Sequence, residues 1–197
     1  MPFWRVSDTA MAVSIPTKLL GPLGGMLLAF PLASAQAADV QVDYYQKKFY
    51  LDMQFRSSLD EQEIHRRLSD FNHLERVNRS IVQSHIVGSA GEGKTLVWKR
   101  IKGCVAFYCR DLEHTELVTQ KKNSLIMVTI PEKSDFELGA ARWVVMPAPL
   151  GTGVMYSATL KPSFALPPLL GSWLMKRALE RELRRTAAAL GDVETEE

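Results

Sequence analysis

Few side chains in this sequence are of types that attack, ligate or move protons, and their spacing limits what they could do. Cys104 and Cys109 are the only two cysteines. Five residues of extended strand cover ~16 Å, well beyond the ~7 Å between alpha carbons that a disulfide tolerates. A bridge between them therefore requires the chain to reverse direction over residues 104–109. With four histidines they offer no CxxC or HxxxH spacing for a tetrahedral site, so no metal is expected. His85, His73 and Asp70 are acid–base types, yet a general base must come within hydrogen-bond reach of its substrate proton, and nothing in their spacing brings them together. Arg142 adjoins Trp143 and by strand alternation faces the other way, toward solvent. Gly91-Glu92-Gly93-Lys94-Thr95 ends like a phosphate-binding loop but lacks the first Gly at the required spacing and leads into a strand, so it reads as a hairpin turn. No catalytic residue and no cofactor is assigned.

The charge balance, 24 Lys+Arg against 22 Asp+Glu over 197 residues, gives no field able to gather phosphates, which argues against a nucleic-acid partner. At the N-terminus an uncharged run, Leu19 to Leu32, is short and broken by Gly and Pro, which favours a cleaved leader over the alternatives of a retained membrane anchor or a disordered tail. It leads to Ala35-Gln36-Ala37-Ala38, whose small residues suit signal-peptidase cleavage after Ala37; Met11 is an alternative start. Residues 1–37 are thus expected to be a signal peptide, and the rest periplasmic or secreted. Without the leader 22 basic and 21 acidic residues remain. An oxidising compartment favours a Cys104–Cys109 disulfide over free thiols.

The remaining elements follow from periodicity. Residues 42–56 alternate, with Phe49, Leu51, Met53 and Phe55 on one face, as in one half-buried strand. Ser58 and Glu61 form a capping box that starts a short helix near Leu59, with a further turn or two at 70–76. Strands follow at 80–87, 95–103, 110–120, 125–130, 136–146 and 154–160, the second and third separated because an unbroken run of 26 residues exceeds any usual strand. Pro167-Pro168 opens a helix over about 168–190 with Met175, Ala178, Leu179, Leu183, Ala187 and Leu190 in one stripe, ended by Gly191. Residues 192–197 are an acidic tail with nothing to bury. This order predicts an α+β fold: a curved antiparallel sheet of about seven strands (β-α-α-β6-α) gripping a long C-terminal helix, with a ligand cleft between them.

Three stretches carry a resemblance. They are Asp70-Phe71-Asn72-His73-Leu74 running to Asn78; Gly139 to Trp143 followed by Gly151-Thr152-Gly153-Val154-Met155-Tyr156; and Pro162-Ser163-Phe164 with Pro167-Pro168-Leu169-Leu170-Gly171. In this order they resemble the START-like, or SRPBCC, superfamily with its helix-grip fold, in the branch of polyketide cyclase/dehydrase-like and coenzyme Q-binding START proteins. The resemblance covers about residues 42–190, and the domain is drawn at 38–191. It implies an apolar or amphipathic small-molecule ligand and does not imply catalysis.

Phe49, Met53, Trp98, Met127, Phe136, Trp143, Tyr156 and Leu160 fall on or near the predicted inner face, opposite Met175 and Leu179 of the helix. Aromatic and Met side chains suit a ligand of variable shape, and they equally suit a packed core. Three functions fit: an exported carrier of a lipid- or quinone-like molecule, with contact to a membrane surface; a cyclase/aromatase-type enzyme acting on a bound hydrophobic substrate; and an envelope interaction protein whose cleft is filled by its own side chains.

Overall fold

The computed structural model describes residues 38–105, 108–149, 151–166 and 170–192. Residues 1–37, expected to be a leader, Pro167 and Pro168 at the expected helix start, and residues 193–197 of the expected tail lie outside them. The chain forms β1 (Asp39–Tyr45), β2 (Lys48–Ser57), α1 (Glu61–Ser69), β3 (Ile81–Ser89), β4 (Lys94–Val105), β5 (Tyr108–Lys121), β6 (Ser124–Thr129), β7 (Phe136–Ala148), β8 (Gly151–Pro162) and α2 (Gly171–Ala189). All eight strands belong to one antiparallel sheet in the order β1-β2-β8-β7-β6-β5-β4-β3. This is the expected α+β helix-grip arrangement with one more strand than expected.

The extra strand comes from the first segment, which reverses instead of running straight. Gln46 and Lys47 adopt φ of 50° and 61°, a two-residue turn with both central residues left-handed, and β1 folds back on β2 with Tyr45 opposite Lys48. Two consecutive left-handed residues without glycine carry no strong turn signal, and the alternation passes through the turn unbroken. Val42 on β1 and Phe49, Leu51, Met53 and Phe55 on β2 are all buried.

Helix α1 begins two residues later than its capping box suggested. Asp60, not Ser58, is the N-cap, its Oδ1 accepting from the Glu63 backbone N–H at 2.7 Å. Ser58 instead donates its hydroxyl to the Gly191 carbonyl, and its backbone N–H bonds the same oxygen at 2.8 Å. The second helical piece is a single 3-10 turn, Leu74–Arg76. The Cys104–Cys109 disulfide is present, its residues directly opposite each other on β4 and β5 with alpha carbons 4.0 Å apart, so the chain does reverse within that segment.

Helix α2 runs antiparallel to β1. Near its C-terminal end Arg184 donates to the Ala38 carbonyl at 3.0 Å, and two turns earlier the Lys176 Nζ lies 3.7 Å from Asp43. Gly191 ends it with φ of 79°, and a side chain there would strike Leu59, Ser57 and Ser58. The first residue of the supposed free tail is part of the fold: Asp192 bridges to Ser57 and accepts from the Ala38 N–H. No described helix is long and apolar enough to cross a membrane.

Candidate functional site

Cross-strand register places the inward side chains of six strands on one grid. Phe49, Leu51 and Met53 of β2 stand opposite Leu160, Ala158 and Tyr156 of β8, which stand opposite Gly139, Ala141 and Trp143 of β7. Beyond them come Met127 and Leu125 on β6, then Glu116 and Val118 on β5, with Lys99 of β4 opposite His114 of β5. Helix α2 crosses this face. The α1 end and the 3-10 turn close one side with Leu68, Phe71, Leu74 and Val77. The small residues Gly139, Ala141 and Ala158 leave the centre open, and a cavity of about 470 Å³ remains between sheet and helix. Its size lies within the ~300–1,000 Å³ usual for small-molecule sites.

The cavity is mostly apolar, with polar side chains at Glu182 and Thr186 on α2 and a buried polar pole on the sheet, which sequence reading missed. Lys99 Nζ donates to Glu116 Oε1 at 2.7 Å, both side chains being buried. His114 Nε2 lies 2.8 Å from Thr129 Oγ1 and 3.9 Å from the second Glu116 oxygen, with its ring against Phe136 at 4.9 Å. Burial opposes the Glu116 charge, but Lys99 and its hydrogen bond outweigh it and hold the carboxyl below its usual range. Burial, and then the positive charge of Lys99, push His114 down to about 4, so its imidazole is neutral at pH 7. Burial and the charge of Glu116 push the Tyr156 phenol well up, and it stays protonated. The pole thus offers a self-neutralising ion pair, a neutral imidazole and a phenol. The only sequence signal for it was an alternation that puts Lys99, His114 and Glu116 on an inward face, where a charged residue needs a partner.

Gly139 makes room for this arrangement. A Cβ there would collide with Thr129 Oγ1. Gly139→Ala is expected to displace that hydroxyl from His114, costing about 1–3 kcal/mol for a buried polar group left without its partner. Denaturant midpoints check this against Gly103→Ala, whose new Cβ would come no nearer than 3.6 Å to its neighbours.

Of the ten residues expected at the site, Met127, Phe136, Trp143, Tyr156, Leu160, Met175 and Leu179 line the cavity. Trp143 and Tyr156 pack ring to ring at 4.4 Å. Phe49 and Met53 share the inner face but sit in the packed core rather than the cavity wall. Phe49 stacks on Tyr44 of the unforeseen β1, which fills the space beside it. Trp98 is on the opposite face of the sheet: Val97 and Lys99 point inward, and Trp98 rests against the exposed His85 at 4.8 Å. Arg142 and His73 are exposed, and Arg142 is on the outer face as alternation required.

The rim was equally unforeseen. Arg79, Lys102, Arg181 and Arg185 all border the cavity and are exposed, with Val82 beside them; Gly103 and Cys104 bring the disulfide hairpin to the same edge.

No sequence family and no curated protein matches this chain. Solved structures do. A STAR-related lipid transfer protein from Xanthomonas axonopodis superposes with a TM-score of 0.62 at 15% identity, covering 79% of this chain and 92% of that one. A START superfamily protein from Mycobacterium smegmatis gives 0.57 at 14% identity over 72% and 93%. The Zhui aromatase/cyclase from Streptomyces sp. R1128 gives 0.55 at 12% identity over 72% and 88%. The fold is therefore the helix-grip fold of START-domain proteins and polyketide aromatase/cyclases.

Proposed function

We propose that this chain is an exported binding protein or carrier for a hydrophobic small molecule with one uncharged polar end, such as a quinone or a neutral lipid presents. The carrying observation is the cavity: a mostly apolar space of about 470 Å³ with a buried polar pole on the sheet at Lys99, Glu116, His114 and Tyr156. A carbonyl or hydroxyl can bond there without adding charge. A carboxylate would enter beside Glu116, whose charge Lys99 already neutralises, and would lose its hydration without a counter-ion in return. Structural neighbours named for lipid transfer support a hydrophobic ligand. The leader-like N-terminus supports export, and so does the disulfide. The four exposed cations on the rim support exchange at an anionic membrane surface.

Native mass spectrometry of protein isolated from its compartment tests this, with a co-purifying neutral apolar ligand as the expected result; an empty cavity that takes up no apolar probe would overturn it. Trp143→Ala supplies a second measurement. It is expected to weaken an environment-sensitive apolar fluorophore while costing less than the ~3–5 kcal/mol of emptying a fully packed aromatic site, because a side chain beside a void has fewer packing partners to lose.

A cyclase-type enzyme remains the second reading on one observation. A neutral imidazole and a protonated phenol, an acceptor and a donor, line the same cavity. Turnover of a supplied polyketide-like substrate, lost in His114→Gln without loss of binding, would favour it.

A further inference from the structure

The start of the sheet and the end of α2 meet at a charged contact. The Ala38 backbone nitrogen donates to Asp192 Oδ2 at 3.1 Å, and the Ala38 carbonyl accepts from Arg184 at 3.0 Å. Asp192 is itself held in place. Its N–H bonds the Ala187 carbonyl at 3.0 Å, its backbone bridges to Ser57, and the preceding Gly191 carbonyl takes hydrogen bonds from Ser58. A carboxylate thus stands on a fixed stretch of backbone and is aimed at the nitrogen of residue 38. That nitrogen belongs to the peptide bond at which the small residues Ala35 and Ala37 suit cleavage.

We propose that cleavage by a signal peptidase between Ala37 and Ala38 completes this contact, turning it into an ion pair between the new α-ammonium and Asp192. Water adds across the Ala37–Ala38 bond. The carboxylate leaves with the leader, and the freed Ala38 amine takes up a proton, since an α-amino group titrates at ~7.7–8.0. In the precursor the contact is an amide donating to a carboxylate; in the mature chain it joins two opposite charges. The neighbouring charges are arranged for this. Arg184 donates to the Ala38 carbonyl, and Arg67 of α1 donates to the Ala189 carbonyl at 2.9 Å, so both guanidinium groups brace the backbone on either side of the contact. Because α2 covers the cavity, processing strengthens a hold on its C-terminal end that the amide contact already provides. This inference rests on the proposed export and goes beyond it.

The test compares the processed chain, its first residue established by N-terminal sequencing, with a chain carrying one extra glycine ahead of Ala38. The glycine restores an amide at Ala38 and moves the ammonium away by one residue. Asp192→Asn is made in both. The ion pair predicts that Asp192→Asn lowers Tm by about 2–4 °C more in the processed chain than in the extended one, the shift corresponding to one ordinary charge contact in a domain of this size. An equal loss in both would overturn the ion pair and leave export standing, as would a processed chain that begins at another residue. An intact leader on protein in the exported fraction would overturn processing altogether. Should Asp192→Asn fail to fold, the extended chain with Asp192 intact decides the matter, melting below the processed chain if the pair forms and with it if it does not.

Discussion

Glu116→Leu is expected to be among the most damaging single substitutions in this protein, costing about 3–5 kcal/mol, because it strands the buried Lys99 ammonium without its counter-charge. Lys99 and Glu116 are 11% and 6% exposed at the side chain, too buried for water to replace the lost partner. The double variant Lys99→Met/Glu116→Leu is expected to recover most of that loss, since well-packed apolar side chains of similar volume often substitute for a buried pair at little cost. Denaturant midpoints of the two single variants and the double variant measure this coupling. The same double variant separates stability from recognition. It should remain folded and bind a pure hydrocarbon probe, yet lose preference for a probe with a carbonyl or hydroxyl end. Undiminished preference would mean that the polar pole holds the sheet together and does not read the ligand.

Acidification is the second large effect. The unfolded His114 takes up its proton near pH 6.5, the folded one only at about 4. Between these values the unfolded state binds the extra proton, so stability is fully present above about pH 6.5 and falls as the pH drops, by up to about 3 kcal/mol. Glu116, held below its ordinary value, adds its own loss only at lower pH, as does Glu63, held at about 2 by Arg66 and Arg67. Urea midpoints measured from pH 7 to 4 should therefore slope downward, and His114→Gln should flatten that slope while keeping a hydrogen-bonding group for Thr129. A slope unchanged in His114→Gln would assign the effect to another group. A fold built this way loosens in mild acid through a residue that lines its own cavity.

Much of the architecture was legible in local patterns. Alternation located six of the strands within a few residues, and the apolar stripe from Met175 to Leu190 located α2, because burying one face imposes a period that sequence displays directly. The reversal between Cys104 and Cys109 followed from strand length alone. The same reasoning would have broken residues 42–56, a run of 15, but the alternation masked the reversal at Gln46 and Lys47. Trp98 was misplaced for a related reason. An aromatic residue on a strand suggests an inner face, yet the phase of β4 is set by Val97 and Lys99, and Lys99 points inward only because Glu116 waits there.

The sequence by itself determined the order of elements, the apolar faces and the turn that allows the disulfide, all of which depend on spacing along the chain. Tertiary structure alone decided the site. Lys99 and Glu116 are seventeen residues apart and His114 and Thr129 fifteen, and only β4–β5–β6 register makes neighbours of them. Their charges and protonation states depend on burial, which no local pattern specifies. The cavity is likewise a property of assembly: it exists because the alanines and the glycine of β7 and β8 fall at the middle of the inner face under α2, where larger side chains would have filled it.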